Sequence, residues 1–324
     1  MNNKKIVIAG GTGFIGREIA KYFGGVNEII ILTRNIKSHN NAFADADFSN
    51  MPNIRLVHWN GKNTGEWCKE VNGADIIINL AGKSVNCRYN EKNKQEIFNS
   101  RTNATKAIGE AIRLSIAPPK LWINAASATI YRHAMDKPQD EFTGECHNDF
   151  SVQVCKLWEI TFFEERTPFT RKVALRMAIT LGAGGVMIPY LNLCKFGLGG
   201  KQGSGKQMYS WVHIEDVCRV VEWMWQHNDE EGVYNVSSPN PVTNKVFMQT
   251  VRKVTGHLFG LPAFEWMLKA GAAFIGTETE LILKSRWVLP AKLLQKGFAF
   301  KHPLLEAALK NIVNQLPRKK YHLF

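Results

Sequence analysis

Apolar positions fall along this chain in two alternating rhythms. Short runs with almost no polar interruption, at Lys5 to Ala9, Glu28 to Leu32, Ile54 to His58, Asp75 to Leu80, Leu121 to Ala126 and Lys172 to Met177, have the length and branching of buried strands. Between them apolar residues return at helical spacing: Phe14, Ile15, Ile19, Tyr22 and Phe23 follow the first run. Lys92 to Ser115 reads as a helix stopped by Pro118 and Pro119, and Asp149 is placed to cap a helix ending at Glu164. Strands alternating with helices predict an α/β protein built on a doubly wound parallel sheet.

After Gly182 the rhythm breaks. A glycine-rich loop, KFGLGGKQGSGKQ, leads into SWVHIEDVCRVVEWMWQH, which reads as a strand entering a helix. From Leu261 onward the pattern predicts several helices and one short strand at Phe298 to Phe300. The expected division is a dinucleotide-binding domain over residues 1–182, with 207–240 returning to it. A smaller, mostly helical lobe over 183–206 and 241–324 should lie across the carboxyl edge of the sheet, where ligands of open α/β sheets sit.

The first strand runs straight into GGTGFIG, and the apolar helix pattern begins inside it. A helix N-terminus has unpaired N–H groups and a partial positive charge, so it binds phosphate if the chain comes close enough. Glycines permit that approach: Gly10 for the tight turn, Gly13 for room at the pyrophosphate, Gly16 for close packing of helix on strand. Thr12, Phe14 and Ile15 complete the candidate loop. The second strand then selects the dinucleotide. NAD calls for an acid at its end, and the chain instead reads IIILTRN, where Arg34 offers a cation to a 2′-phosphate and Thr33 a hydroxyl. NADP(H) is the expected cofactor.

Composition fits such a protein. With 324 residues, 45% of them hydrophobic, the chain can bury a sizeable core. Its formal charge of +13 suits an anionic ligand, but lysines and arginines are scattered and only PRKKYH is locally dense, so nucleic acid is not an expected partner. Six cysteines without a CxxC pair argue for reduced, mostly buried thiols and against a metal site. The N-terminus enters the first strand at once, and the apolar stretch Trp266 to Ile275 is short and contains Lys269. A soluble, cytoplasmic protein without a membrane partner is expected, taking a small-molecule substrate and compatible with a homodimer.

Several motifs resemble the extended short-chain dehydrogenases/reductases, and among them an atypical epimerase-like subgroup with a C-terminal segment of unknown function. They are GGTGFIG, NLAG at Asn79 to Gly82, SATIY at Ser127 to Tyr131 and DFSVQVCKLWE at Asp149 to Glu159. FGLGGKQGSGKQMYSWVHIED at Phe196 to Asp216, YNVSSPNPVTN at Tyr234 to Asn244 and VLPAKLLQKGFAF at Val288 to Phe300 extend the likeness over nearly the whole chain. It implies a Rossmann-type fold and an NADP(H)-dependent oxidoreductase or epimerase-like activity. By the same resemblance Leu80, Ala81 and Gly82 lie along the adenine-side ribose, with Ala125 and Arg176 as further cofactor contacts. Ser127 matches a serine that hydrogen-bonds the reacting substrate oxygen. Arg176 also reads as an ion-pair partner.

The pattern departs from the family where the chemistry is concentrated. Relatives carry a tyrosine four residues before a lysine, which lowers the phenol's pKa from about 10. None of the seven tyrosines here has a lysine four residues on. Lys156 pairs with Val152 in one register; in the register set by Glu159, Cys155 and Ser151 take the two places. Tyr131 is the phenol nearest a family motif, and it also reads as a packed aromatic. His213 with Asp216 offers an acid/base pair, although Asp216 near a helix start has a structural use. Trp211, Trp223 and Trp225 read as core. Gly197 to Gly205, carrying Lys201 and Lys206, reads as a flexible flap closing on an anionic substrate. Two functions remain: the enzyme, and a non-catalytic NADP(H) sensor or scaffold, which the missing pair favours. An NAD-retaining UDP-sugar epimerase is opposed by the lack of an acid after the second strand.

Overall fold

The computed structural model describes residues 1–36, 51–269 and 278–323. Seven parallel strands form one sheet, in the order β10-β6-β5-β4-β1-β2-β3. They are β1 (Lys5–Ala9), β2 (Glu28–Thr33), β3 (Ile54–His58), β4 (Ile76–Asn79), β5 (Leu121–Ser127), β6 (Arg171–Met177) and β10 (Gly232–Val236). The strand order reverses between β1 and β4, and the crevice at their carboxyl ends is where such sheets take ligands.

The unbroken apolar runs follow from burial on both faces. Ile6 and Ile8 of β1 face a core shared with helices α1 (Phe14–Phe23) and α5 (Ile214–Gln226), with Ile29, Ile31, Ile76 and Val217. Val7 and Ala9 face the opposite core with Ile30, Ile77, Trp122, Ile108 and Phe162, under α2 (Glu91–Arg113) and α3 (Phe150–Glu164). The Asn90 side chain accepts from Asn93 N at the start of α2, and Asp149 accepts from Val152 N at the start of α3. Helix α2 ends at Arg113, ahead of the two prolines.

A third core lies outside the sheet, where Tyr190, Leu191, Trp211, Phe247, Ile312 and Leu309 meet. Its elements are α4 (Met187–Lys195), α6 (Asn244–Val254), α9 (Leu305–Asn314), the short strands β7 (Ile179–Leu181) and β9 (Trp211–His213), and the antiparallel pair β8 (Met208–Tyr209) with β11 (Val242–Thr243). Trp211 is fully buried, and Trp223 and Trp225 pack partly buried on the sheet core.

The strand expected at Phe298 to Phe300 does not form. Gly297, with φ +79°, ends the short helix α8 (Ala291–Gln295), and Phe298 and Phe300 then pack on the sheet core as irregular chain. Phe298 N donates to Leu293 O, Ala299 O accepts from Arg219, and just beyond, Lys301 N and His302 N donate to Asp216. The apolar stretch beginning at Trp266 runs into residues 270–277, which lie outside the described residues. No described helix is long and apolar enough to cross a membrane.

Candidate functional site

The turn after β1 gives each of its glycines a different neighbour. Gly10 has φ +76°, and a Cβ there would stand 2.8 Å from the Leu80 carbonyl and 2.9 Å from Ala81 N. The ends of β1 and β4 therefore meet backbone to backbone. At Gly16 a Cβ would lie 2.5 Å from Gly11 Cα, so a side chain would lift α1 off the turn. Gly13 is exposed, and a Cβ on it would meet only Gly10 O, at 3.5 Å. Gly13 is also the N-cap of α1, with no side-chain cap and no acid in the first helical turn. An uncapped, positively polarised helix end thus opens onto free space at the switch point. Thr12 and Ile15 flank it half-buried. Phe14 packs instead against the backbone of Gly182, Gly184 and Gly185.

A buried amide shapes the facing loop. Asn79 donates to Asn124 Oδ1 (2.7 Å) and Thr105 Oγ1 (3.2 Å), while its own Oδ1 accepts from Ala81 N (3.1 Å). Asn124 donates to Ala125 O, and Trp158 Nε1 donates to Thr105 Oγ1, so β4, β5, α2 and α3 share one network. Leu80, Ala81 and Gly82 leave the sheet from this anchor. Across the crevice, Thr33 is buried at the end of β2 with its hydroxyl accepting from Asn35 N, and Arg34 beyond it is exposed. No carboxylate pairs with Arg34 among the described residues.

Ser127 ends β5 half-buried, its Oγ accepting from Thr129 N at 3.2 Å. Tyr131 is buried. It is 2% exposed, with its hydroxyl closed between Asn235 Oδ1 (3.0 Å) and the Arg176 guanidinium (2.9 Å). Burial pushes its phenol up to about 12. Arg176 in turn makes a bidentate pair with Glu159, at 2.8 and 2.7 Å. Burial works against its charge, but Glu159 and the Tyr131 hydroxyl more than compensate and hold the guanidinium protonated. Lys156 points its Nζ to His147 O, away from these groups. Ser127, Tyr131 and Lys156 share no hydrogen bond among the described residues.

One face of α3 carries the buried Ser151 and Cys155, and the groups around Ser151 come from distant parts of the chain. Ser151 Oγ donates to Glu280 Oε2 at 2.9 Å, and Lys284 Nζ bonds Asp149 Oδ2 at 3.0 Å. Arg286 Nε donates to Thr129 Oγ1 at 3.2 Å. Arg101 of α2 reaches over Trp158, 5.0 Å from the ring. Burial pushes the Cys155 thiol up to about 12. None of Arg101, Glu280, Lys284 or Arg286 carries a local sequence signal, because no glycine pattern or spacing links them to α3.

The His213 and Asp216 pair is not an acid/base couple. Asp216 is fully buried and spends both oxygens on Lys301 N, His302 N and Arg219. His213 Nδ1 accepts from Glu215 N as the N-cap of α5, which leaves the proton on Nε2. His213, Glu215 and His302 bring their ligand atoms within 4.8 Å of one another. A protonated Nε2 is no metal ligand, and the His302 nitrogen is engaged by Glu215 at 2.7 Å. The glycine-rich loop is pinned rather than free: Gln202 N donates to Asn244 Oδ1, Asn244 Nδ2 returns a bond to Gln202, and Gly200 and Gly203 bond Leu261 and Ala263. All six cysteines are free, three of them buried.

Comparison with known proteins agrees with this architecture. The chain is 31% identical over 309 residues to epimerase family protein YfhF of Bacillus subtilis, covering 95% of this chain and 97% of that protein. It is 27% identical to human epimerase family protein SDR39U1, covering 95% and 99%. A crystal structure of human SDR39U1 with NADPH superposes with a TM-score of 0.82 at 27% identity, covering 96% of this chain and 99% of that one. A UDP-N-acetylglucosamine 4-epimerase from Methanobrevibacter ruminantium, at 16% identity and TM-score 0.74, shares the fold over 98% of this chain and 100% of that one. Residues 263–312 match a domain of unknown function, DUF1731. With residues 6–237 matching its model, the chain belongs to the NAD dependent epimerase/dehydratase family.

Proposed function

We propose that the protein is an NADP(H)-dependent, epimerase-like enzyme acting on a small molecule that is anionic or nucleotide-linked. The observation that carries this reading is the uncapped N-terminus of α1 with open space at Gly13. The first-turn amides of α1 would hold the pyrophosphate, Arg34 with Thr33 the 2′-phosphate, and Leu80 to Gly82 the adenine-side ribose. A bound nicotinamide supplies hydride chemistry. The chain itself would orient the substrate oxygen through Ser127 at the end of β5. Residues 1–182 and 207–240 form the cofactor unit in this reading, and 183–206 with 241–324 the substrate lobe. The NADPH in the human relative's crystal structure supports the choice of cofactor. A second reading, a non-catalytic NADP(H) sensor, is favoured by the closure of Tyr131 onto Asn235 and Arg176.

Fluorescence titration of the reduced nucleotides tests the assignment. A charge-assisted contact to phosphate contributes about 1.5 to 3 kcal/mol, so NADPH should bind roughly ten- to hundredfold more tightly than NADH. Arg34→Asp should reverse that order. Equal affinities in the unmodified protein, or a variant that still prefers NADPH, overturn the role of Arg34.

A further inference from the structure

Leu258, Phe259, Leu261, Phe264, Trp266 and Met267 are all exposed, and they lie on one short stretch of the C-terminal lobe. Leu258 and Phe259 are 88% and 84% exposed, and Trp266 is 70% exposed. Side chains this bare project from the surface rather than line a groove. Single exposed apolar residues are ordinary, but a run of them on one segment marks a surface that meets something apolar.

The segment is fixed at its base. Leu261 N donates to Gly197 O at 2.8 Å, Gly200 N donates to Leu261 O at 3.1 Å, and Ala263 N donates to Lys201 O at 3.0 Å. A Cβ on Gly260 would lie 2.7 Å from Gly199 C, so the two segments touch along their backbones. This seats the apolar stretch beside Phe196 and Leu198, which are exposed as well. A basic turn adjoins it. His257 stacks on His322 at 4.5 Å, and Lys195 Nζ donates to Lys319 O at 2.8 Å. These contacts hold the exposed turn Arg318–Lys320 against the same surface. The charge there has one sign: residues 187–206 and 307–324 contain no acid, and Glu265 within the apolar stretch is paired with Lys269 at 2.9 Å.

We propose that this surface docks the protein onto a lipid bilayer bearing anionic headgroups. Leu258, Phe259 and Trp266 enter the headgroup layer, and Arg318, Lys319 and Lys320 lie over it. Aromatic and aliphatic side chains flanked by cations suit that boundary, where one side is apolar and the other carries negative charge. A second copy docked through the same face would bring two basic surfaces together. A protein partner would need pockets shaped to projecting side chains, whereas lipid yields around them. The expectation of no membrane partner rests on the lack of a spanning segment, and docking from one face needs none. Docking of this kind does not depend on what the turn at Gly13 binds.

Sedimentation of the full chain with vesicles tests the surface. The protein should pellet with phosphatidylcholine vesicles containing about one-third phosphatidylglycerol and stay in solution with pure phosphatidylcholine. Raising the ionic strength from about 0.15 M to about 1 M shortens the screening length from about 8 to about 3 Å and should weaken binding at least tenfold. Each basic residue near an anionic surface contributes about fivefold, so Lys319→Glu with Lys320→Glu should weaken it by at least roughly twentyfold. Leu258→Ser with Phe259→Ser should weaken it more than about tenfold with the melting temperature unchanged, because both side chains are exposed in the free protein. Brominated lipid should quench part of the tryptophan fluorescence, and Trp266→Phe should remove that part. Equal binding to pure phosphatidylcholine, or no binding to the anionic vesicles, overturns the proposal. Unchanged binding by the Leu258 and Phe259 variant also overturns it, because the contact is then charge alone. A concentration-dependent dimer that the same variant dissolves, without vesicle binding, assigns the face to a second copy instead.

Discussion

Two stretches of this chain are rich in glycine, and they use it for opposite purposes. Around Gly10 to Gly16 the outer glycines are hemmed in by backbone, while Gly13 between them faces open space. Around Gly197 to Gly205 a Cβ on Gly199 would strike Cys194 Sγ at 2.6 Å, one on Gly200 would lie 2.5 Å from Pro262 N, and Gly203 and Gly205 adopt positive φ. There the missing side chains are replaced by protein, and the loop is stitched to Asn244 and to residues 261–263. Glycine in one case leaves open space at a helix start and in the other lets two chain segments touch. The motif alone does not separate these uses; what a Cβ would meet does.

The sharpest way to break the comparison is Gly13→Val. Gly13 has φ −75° and ψ 170°, which valine adopts without strain, so the variant should fold with a loss of about 1 kcal/mol at a weakened N-cap. Calorimetry should nevertheless show NADPH binding weakened by more than about a hundredfold, a loss of at least ~2.7 kcal/mol. Retained affinity would mean that the open space holds no phosphate. Gly200→Val should do the reverse. Overpacking against Pro262 should remove about 3 kcal/mol of stability in denaturant melts, with the affinity of the folded protein for NADPH unchanged.

A smaller effect probes the same packed region through charge. His213, 2% exposed and following the pinned loop, is held neutral by burial and by His302, its pKa lowered from 6.5 to about 4. The folded pKa lies below the unfolded one, so the stabilisation is complete above pH 6.5 and is lost as pH falls toward 4. Between pH 7 and pH 5 the protein should lose about 2 kcal/mol. His213→Asn, which keeps an N-capping oxygen without the titration, should flatten that slope; an unaltered slope would assign it to other groups.

The sheet was legible because two-sided burial leaves a mark in consecutive residues. Ile29 to Leu32 has no polar position, since successive side chains enter the two opposed cores. Strands β8, β9 and β11 span only two or three residues each, too few for a period to register. At Phe298 to Phe300 the aromatic alternation served packing alone, with backbone partners supplied by Leu293 and Arg219 rather than by a neighbouring strand. The glycine-rich turn after β1 and Arg34 lie within one local unit and could be read directly. Glu280 could not be, because only the return of the C-terminal segment brings it to Ser151, from which it is 129 residues distant.

The seventh strand of the sheet has a consequence for how the molecule is made. Strand β10 pairs with β6 only after the chain has passed through α4, the pinned loop and α5. During synthesis the β6 edge therefore emerges with its amide and carbonyl row unpaired, and it stays so for more than fifty residues, until Gly232 to Val236 arrive. An exposed parallel edge of this kind is slow to close and open to pairing with another chain. The interval between translating β6 and translating β10 is thus a stage at which the unfinished sheet can pair with another chain.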